Sequence, residues 1–327
     1  MAEWLIEDGI GERRAALVDA GRIIEARIER DSDGLQASAV IEARRMPGTV
    51  AGAALMVADS GEELLCRPAP RVSEGARALV CVTRTALPER GLTKRALARP
   101  AQEGEAACPA PTLAEAIAQT GHPVRPLRSI DSDALEAAGW SEMLDSAASG
   151  LVPFAGGLLR IDLTAAMTVI DVDGDLPPAA LATAGCTAAA AALRLFDISG
   201  SIVIDLPGLG GKAERIAAAE AFDAAMTGPF ERTAVNGWGL IQIIRPRTAM
   251  SLMERQRFSP VESAALAALR RAERAQGSGP LMLRLHPAVA AWLIERPALT
   301  ETLGRRTGRP PVLIPEAEMK MGACDVG

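Results

Sequence analysis

The sequence predicts a multidomain protein of mixed α/β (α+β) class, and three observations carry that prediction. Short apolar runs punctuated by glycine fill the first 98 residues, the pattern of many short strands. A Pro/Ala/Glu-rich stretch, RPAQEGEAACPAPT, occupies 99–112 and reads as a linker. From Phe154 onward, strand-like and helix-like patterns alternate. At 327 residues the chain can bury a substantial core and divide into two or three domains.

Residues 3–30 contain WLIEDGIGERRAALVDAGRIIEARIE, with Gly9, Gly11 and Gly21 marking turns, and predict a small antiparallel meander. VIEARRM, GAALMVAD, EELLCRP and ARALVCVTR follow as candidate strands of a barrel or twisted sheet. Helical patterning runs over 113–119 and 133–148. FAGGLLRIDLTAAMTVIDVDGD (154–175) reads as two strands joined near Thr164, Ala165 and Ala166. An Ala-rich helix at 179–196 leads into the strand SIVIDL (201–206), then a glycine-rich turn and a helix at 212–226. RTAVN and WGLIQIIR form a strand pair; a helix after Pro260, the strand LMLRLH, more helix from Pro287 and the strand PVLI complete the chain. The expected divisions are a β-rich region at 1–98, the linker at 99–112, an α/β core at 113–258 and a small α/β C-terminal domain at 259–327.

Composition narrows the classes. Hydrophobic residues make up 49% of the chain, much of it Ala, with five Phe, four Trp and no Tyr, so small side chains fill the interior. A formal charge of −6 argues mildly against a nucleic-acid binder, although a local basic groove can sit on an acidic protein. The five cysteines are scattered and form no C-x-x-C pair, as expected of free thiols in a reducing compartment. MAEWLIEDG lacks the basic start and apolar run of a secretion signal. Residues 176–193 carry no charge but open with Pro177 and Pro178, and predict a helix lying on a sheet rather than a membrane span. The expectation is a cytoplasmic protein without a membrane partner.

Asp171 and Asp205 are the strongest candidate site residues. Each ends an apolar β run, where a carboxylate is costly without a partner. Two adjacent strands ending in Asp would aim both carboxylates at one spot and suit Mg²⁺, which takes one or two carboxylates plus water and substrate phosphate. Taken alone, the same residues serve equally well as strand caps. Asp173 lies two positions on and faces the same side of a continuous strand; a turn with Gly174 and Asp175 is the other reading. PGLGGKAE (207–214) looks loosely like a phosphate loop, but Leu206 and Ala213 replace residues that such a loop needs. His122 and His286 each precede a proline, far from any acid or thiol cluster, and fit turn or packing roles.

Several segments together resemble the ribonuclease E/G family. DALEAAGWSEMLDSAASGLVPFAGG (133–157) is similar to its lead-in helix and Gly-Gly strand entry, and TVIDVDG (168–174) to its metal-binding strand. LRLFDISGSIVID (193–205) follows at the family's spacing, and RTAVNGWGLIQIIRPR (232–247) resembles the closing strands. SPVESAALAALRRAE and LMLRLHPAVAAWLIE are similar to the small C-terminal domain, ALVCVTRTALPERGLTKRALA (78–98) to the end of an OB-type barrel, and residues 3–30 to a meander paired with a ribonuclease-H-like subdomain.

The resemblance implies an OB-type β-barrel with ribonuclease-H-like elements, a DNase-like α/β catalytic core and a small C-terminal domain. It implies Mg²⁺, with Mn²⁺ as a substitute, held by Asp171 and Asp205, and cleavage of single-stranded RNA to 5′-phosphate and 3′-hydroxyl ends. Arg194, Arg215, Arg245 and Arg247 match basic, RNA-contacting positions, and Arg is well shaped for phosphate. Asp173 stands where the family usually has Asn, Ala165 and Gly208 where it has acids, and Phe196 where it often has Arg. The linker occupies the place of the domain that senses RNA 5′ ends, and MERQRFSPVES (253–263) lacks the zinc-linking cysteines. Zinc is therefore not expected, and a homo-oligomer would form without a zinc link, through the surface around Leu281–Ile294. The alternative is a non-catalytic RNA-binding or regulatory homologue of the same fold.

Overall fold

The computed structural model describes residues 1–89 and 91–327. The chain opens with an antiparallel meander of β1 (Glu3–Asp8), β2 (Glu12–Asp19) and β3 (Arg22–Arg30). A barrel follows, built from β4 (Val40–Val50), β5 (Ala53–Ala58), β6 (Glu63–Cys66) and β7 (Arg77–Arg84). After the short pair β8 (Leu87–Glu89) and β9 (Leu92–Lys94), strand β10 (Ala96–Pro100) bonds to both β6 and β7 and closes it. Ala43, Ala54, Met56, Leu64, Val80 and Ala96 fill its core, so small side chains suit a narrow closed barrel. The segment after β10 is tied back: Arg99 pairs with Glu105 at 2.7 Å, and Val40 and Cys108 exchange backbone hydrogen bonds.

Helix α1 (Leu113–Ala118) precedes β11 (Val124–Leu127), which pairs in parallel with β1. Pro126 hides this strand from sequence patterning, but β11 is an edge strand, where proline is tolerated. Helices α2 (Ala134–Ala137) and α3 (Trp140–Ser149) split the predicted 133–148 helix; Gly139, at φ +95°, separates them.

The largest sheet uses β12 (Leu151–Phe154), β13 (Gly157–Leu163), β14 (Thr168–Gly174), β15 (Gly200–Asp205), β16 (Glu231–Arg232) and β17 (Leu240–Arg245), in the order β12-β13-β14-β15-β17-β16. Helix α4 (Pro178–Leu195) makes the crossover between the parallel neighbours β14 and β15, and α5 (Lys212–Ala225) follows β15. Residues of alternate parity, including Leu159, Ile161, Ile170, Val172, Ile202, Ile204, Ile241 and Ile243, are buried on one face, as period-2 patterning requires. Helix α4 is apolar and long enough to cross a membrane by composition, but Leu181, Cys186, Ala189 and Leu193 are buried and it packs against β12–β14 and α5. Its small residues permit close approach: a Cβ on Gly185 would lie 2.4 Å from Val172 Cγ1.

The rest comprises α6 (Leu252–Phe258), α7 (Pro260–Arg274), β18 (Leu281–Leu285), α8 (Pro287–Ile294), α9 (Pro297–Thr307), β19 (Pro311–Pro315) and β20 (Cys324–Val326). Strand β18 is central between β19 and β20, with Leu281, Leu283 and Leu285 buried. The expected association surface around Leu281–Ile294 thus includes a core strand, while Ile294 is exposed.

Two compact units interleave along the chain. One comprises 1–32, 117–144 and 254–327; the other comprises 33–116 and 145–253. The consecutive divisions expected from composition cut across these units, because local pattern does not report ion pairs between distant segments. Within the first unit, buried Arg14 bonds to Glu7 and to Asp133, the latter at 2.8 Å. Arg274 also pairs with Glu7, Arg270 with Glu12, and Arg30 bridges Glu12 and Glu262, each at 3.0 Å.

Candidate active site

The six-stranded sheet sets the site. Alternation buries one row of aliphatic residues against the helix-covered face and leaves an open, mixed face, where Arg160, Asp171, Asp173, Asp205 and Gln242 lie among Val169, Val203 and Ile244. On that open face Asp171 of β14 stands directly opposite Asp205 of β15 in the parallel register, on strands about 4.8 Å apart. Asp171 is half-buried and Asp205 is exposed. The same row continues to Arg160 on β13, which pairs with Asp171 in register, and to Leu240 on β17, which pairs with Asp205.

Asp173 lies within β14, paired with Leu158, rather than in a turn. Its Oδ2 accepts a hydrogen bond from Arg160 Nε at 2.8 Å. Desolvation, then the charges of Asp173 and Asp205, push the Asp171 carboxyl above the usual carboxylate range, and Arg160 partly offsets them. This repulsion among acids is what a divalent cation relieves, so the pair fits a hard cation with oxygen ligands. Among the described residues, no group of three or more His, Cys, Asp or Glu side chains is arranged to hold a metal. Two carboxylates would have to share the cation with water and phosphate oxygens, the usual arrangement for Mg²⁺.

The basic residues distribute unevenly around this pair. Arg215 lies in the first turn of α5, the helix entered from the loop after Asp205. Arg194 occupies the last turn of α4. Arg245 pairs in register with Gly200, at the opposite end of β15 from Asp205, about 16 Å along the strand. Its guanidinium donates to the carbonyls of Leu193, at 3.0 Å, and Ile198, satisfying groups at the end of α4. Arg247 lies beyond β17 near Gly200, whose added Cβ would meet the arginine Cδ at 3.2 Å. Arg255 is buried. In the barrel, Arg45 binds the carbonyls of Pro70 and Val72, Arg84 that of Arg95, while Lys94 and Arg95 pair with Glu89 and Glu63.

Ala165 sits in the exposed turn between β13 and β14, Phe196 is fully buried at the end of α4, and Gly208 has open space around it. In the glycine-rich loop, the Gly210 N–H donates to Glu214 Oε2 at 2.7 Å, so the loop is a turn into α5. His286 caps α8, its Nδ1 accepting from the Ala288 N–H at 3.1 Å. Sequence reading missed Arg160. The signal was available, because folding GLLRIDL against TVIDVDG about the Thr164 turn places Arg160 opposite Asp171.

No curated protein matches the chain in sequence. Residues 113–248 match the model of the Ribonuclease E/G family. This segment contains the whole six-stranded sheet and both paired carboxylates, and it is over this segment that the chain is similar to the ribonuclease E/G family.

Proposed function

We propose that this chain is a Mg²⁺-dependent endoribonuclease that cuts single-stranded RNA to leave 5′-phosphate and 3′-hydroxyl ends. The family suggests ribonuclease function, an RNA substrate and a divalent metal. The observation that supports the finer reading is the register of Asp171 against Asp205 on an open sheet face. These two carboxylates would hold Mg²⁺, or Mn²⁺ in its place. Bound there, the ion would supply charge stabilisation at the phosphate and a water of lowered pKa. Asp173 stays engaged with Arg160, so its extra charge is offset rather than directed at the scissile phosphate. Arg215, on the Asp205 side, and Arg194 and Arg247, at the far end, give the RNA backbone cationic contacts, whereas Arg245 is committed to the carbonyls of Leu193 and Ile198. The enzyme works in the cytoplasm, and any self-association rests on protein surface without a zinc link.

A second reading, a non-catalytic RNA-binding or regulatory homologue, is favoured by one feature. Arg160 already offsets charge on Asp171 and Asp173, and an internal cation lessens the need for a bound one. End-group analysis of single-stranded RNA incubated with Mg²⁺ separates the two. The enzyme yields 5′-phosphate and 3′-hydroxyl ends, whereas the homologue binds RNA and leaves it whole. Products ending in cyclic phosphate would contradict the proposed chemistry.

A further inference from the structure

Four tryptophans occupy very different environments. Trp4 and Trp140 are 1% exposed, and Trp292 is half-buried with Arg296 stacked 4.2 Å from its ring centre. Trp238 is 84% exposed. All five phenylalanines are at least half-buried, so among the described residues Trp238 is the one Phe or Trp ring that lies exposed. A large indole left in water contributes little to folding, since its stabilising value comes from burial.

The backbone beneath Trp238 is held firmly. Sequence patterning places Trp238 in a strand, but it lies in the turn that precedes β17. Asn236 Oδ1 accepts from the N–H groups of Trp238 at 2.9 Å and Leu240 at 3.0 Å. The Asn236 N–H donates to the Leu240 carbonyl at 3.0 Å, and the Gly239 N–H to the Asn236 carbonyl at 3.2 Å. Gly239 is obligatory, with φ +87° and an added Cβ only 2.7 Å from the Leu206 carbonyl oxygen. The Gly239 carbonyl in turn accepts from the N–H of Leu206 at 3.2 Å. The turn is therefore fastened to the residue that follows Asp205, and Leu240, two positions after Trp238, pairs with Asp205 itself.

We infer that Trp238 is a base-stacking platform, positioned to bind a nucleobase of single-stranded RNA next to the phosphate that a cation at Asp171 and Asp205 would take. The inference rests on the ribonuclease reading of that carboxylate pair and adds a substrate contact to it. A rigid turn lowers the ordering cost of binding, and an aromatic face accepts any base without hydrogen-bond readout. The platform also supplies what the barrel lacks, since residues 31–97 contain no aromatic residue.

Fluorescence titration in EDTA, where Mg²⁺-dependent cleavage cannot proceed, tests this. The probes are a short oligouridylate and an abasic ribose-phosphate oligomer of the same length. For the wild type, oligouridylate should quench tryptophan emission. Trp238→Ala should weaken oligouridylate binding, followed by anisotropy of a labelled probe, between about fivefold and 150-fold. Trp238→Phe should keep most of the affinity, and the abasic oligomer should bind wild type and Trp238→Ala alike. Equal oligouridylate affinity in wild type and Trp238→Ala overturns the stacking role while leaving the cleavage reading to its own assay. So does a loss of self-association in Trp238→Ala with unchanged RNA affinity, which would assign the indole to a second copy of the chain. No binding of oligouridylate by the wild type overturns the stacking role as well, and cleavage with Mg²⁺ then decides the ribonuclease reading separately.

Discussion

Arg160 and Asp173, on adjacent antiparallel strands, are joined by a 2.8 Å hydrogen bond beside the carboxylate pair of the open sheet face. This contact tunes the charge around Asp171, whose pKa is raised first by burial and then by Asp173 and Asp205, and is lowered in part by Arg160. Asp171 must be ionised to hold a cation, so the acid limb of the cleavage profile should follow its pKa. Asp173→Asn removes a raising charge and should move that limb to lower pH. Arg160→Ala removes the lowering charge and should move it to higher pH. Cleavage rates across pH check both, and shifts in the same direction would contradict this electrostatic picture.

The raised pKa of Asp171 also predicts a stability effect. Below the ordinary carboxylate pKa the group is protonated in both folded and unfolded chains and costs nothing. As pH rises through the elevated folded value, the native state must carry a disfavoured charge, and the cost is fully present above it. Asp171→Asn should therefore melt higher than wild type near neutral pH in the absence of divalent ions, and the difference should vanish in acid. Mg²⁺ should reverse the order by stabilising the wild type alone, by about 2.7 kcal/mol at a hundred times its Kd. Calorimetry with and without Mg²⁺ measures both effects, and a wild type indifferent to Mg²⁺ would count against the site.

The buried ion pairs of the interleaved unit carry a separate prediction. Glu7 is 4% exposed and pairs with Arg14, itself 1% exposed, and with Arg274. Glu7→Gln removes the charge that compensates Arg14, Arg274 and, at 3.8 Å, Arg270, and breaking a buried pair costs about 3–5 kcal/mol. Urea denaturation should show that loss, and a change below about 1 kcal/mol would mean that Asp133 alone balances Arg14.

The sequence shows clearly those features that depend on local alternation. SIVID and TVIDVDG reveal strands in which an Asp follows an apolar run, and the turn at Thr164 reveals the hairpin partner of the second. The parallel pairing of β14 with β15, which turns two separate Asp residues into one site, depends on α4 crossing the sheet at close range. Gly185 against Val172 makes that approach possible, and a single glycine in an Ala-rich run does not announce it. Strand β11 is obscured by Pro126, and Trp238 by strand-like neighbours whose hydrogen bonds go instead to Asn236. Arg245 reads as a basic residue of an RNA surface, but it donates to the carbonyls of Leu193 in α4 and Ile198 beyond it, a role fixed only by tertiary packing. The partnership of residues 1–32 with 254–327 is likewise carried by long-range ion pairs.

The most direct test of the central claim is single-turnover cleavage of single-stranded RNA at saturating Mg²⁺ by wild type, Asp171→Asn and Asp205→Asn, with RNA affinity measured in parallel. If the paired carboxylates hold the ion, each substitution should lower the rate by at least about 100-fold while leaving RNA affinity within a few-fold of wild type. A wild type that cleaves, with either variant retaining full rate, would contradict the assignment of Asp171 and Asp205 as the metal-binding pair.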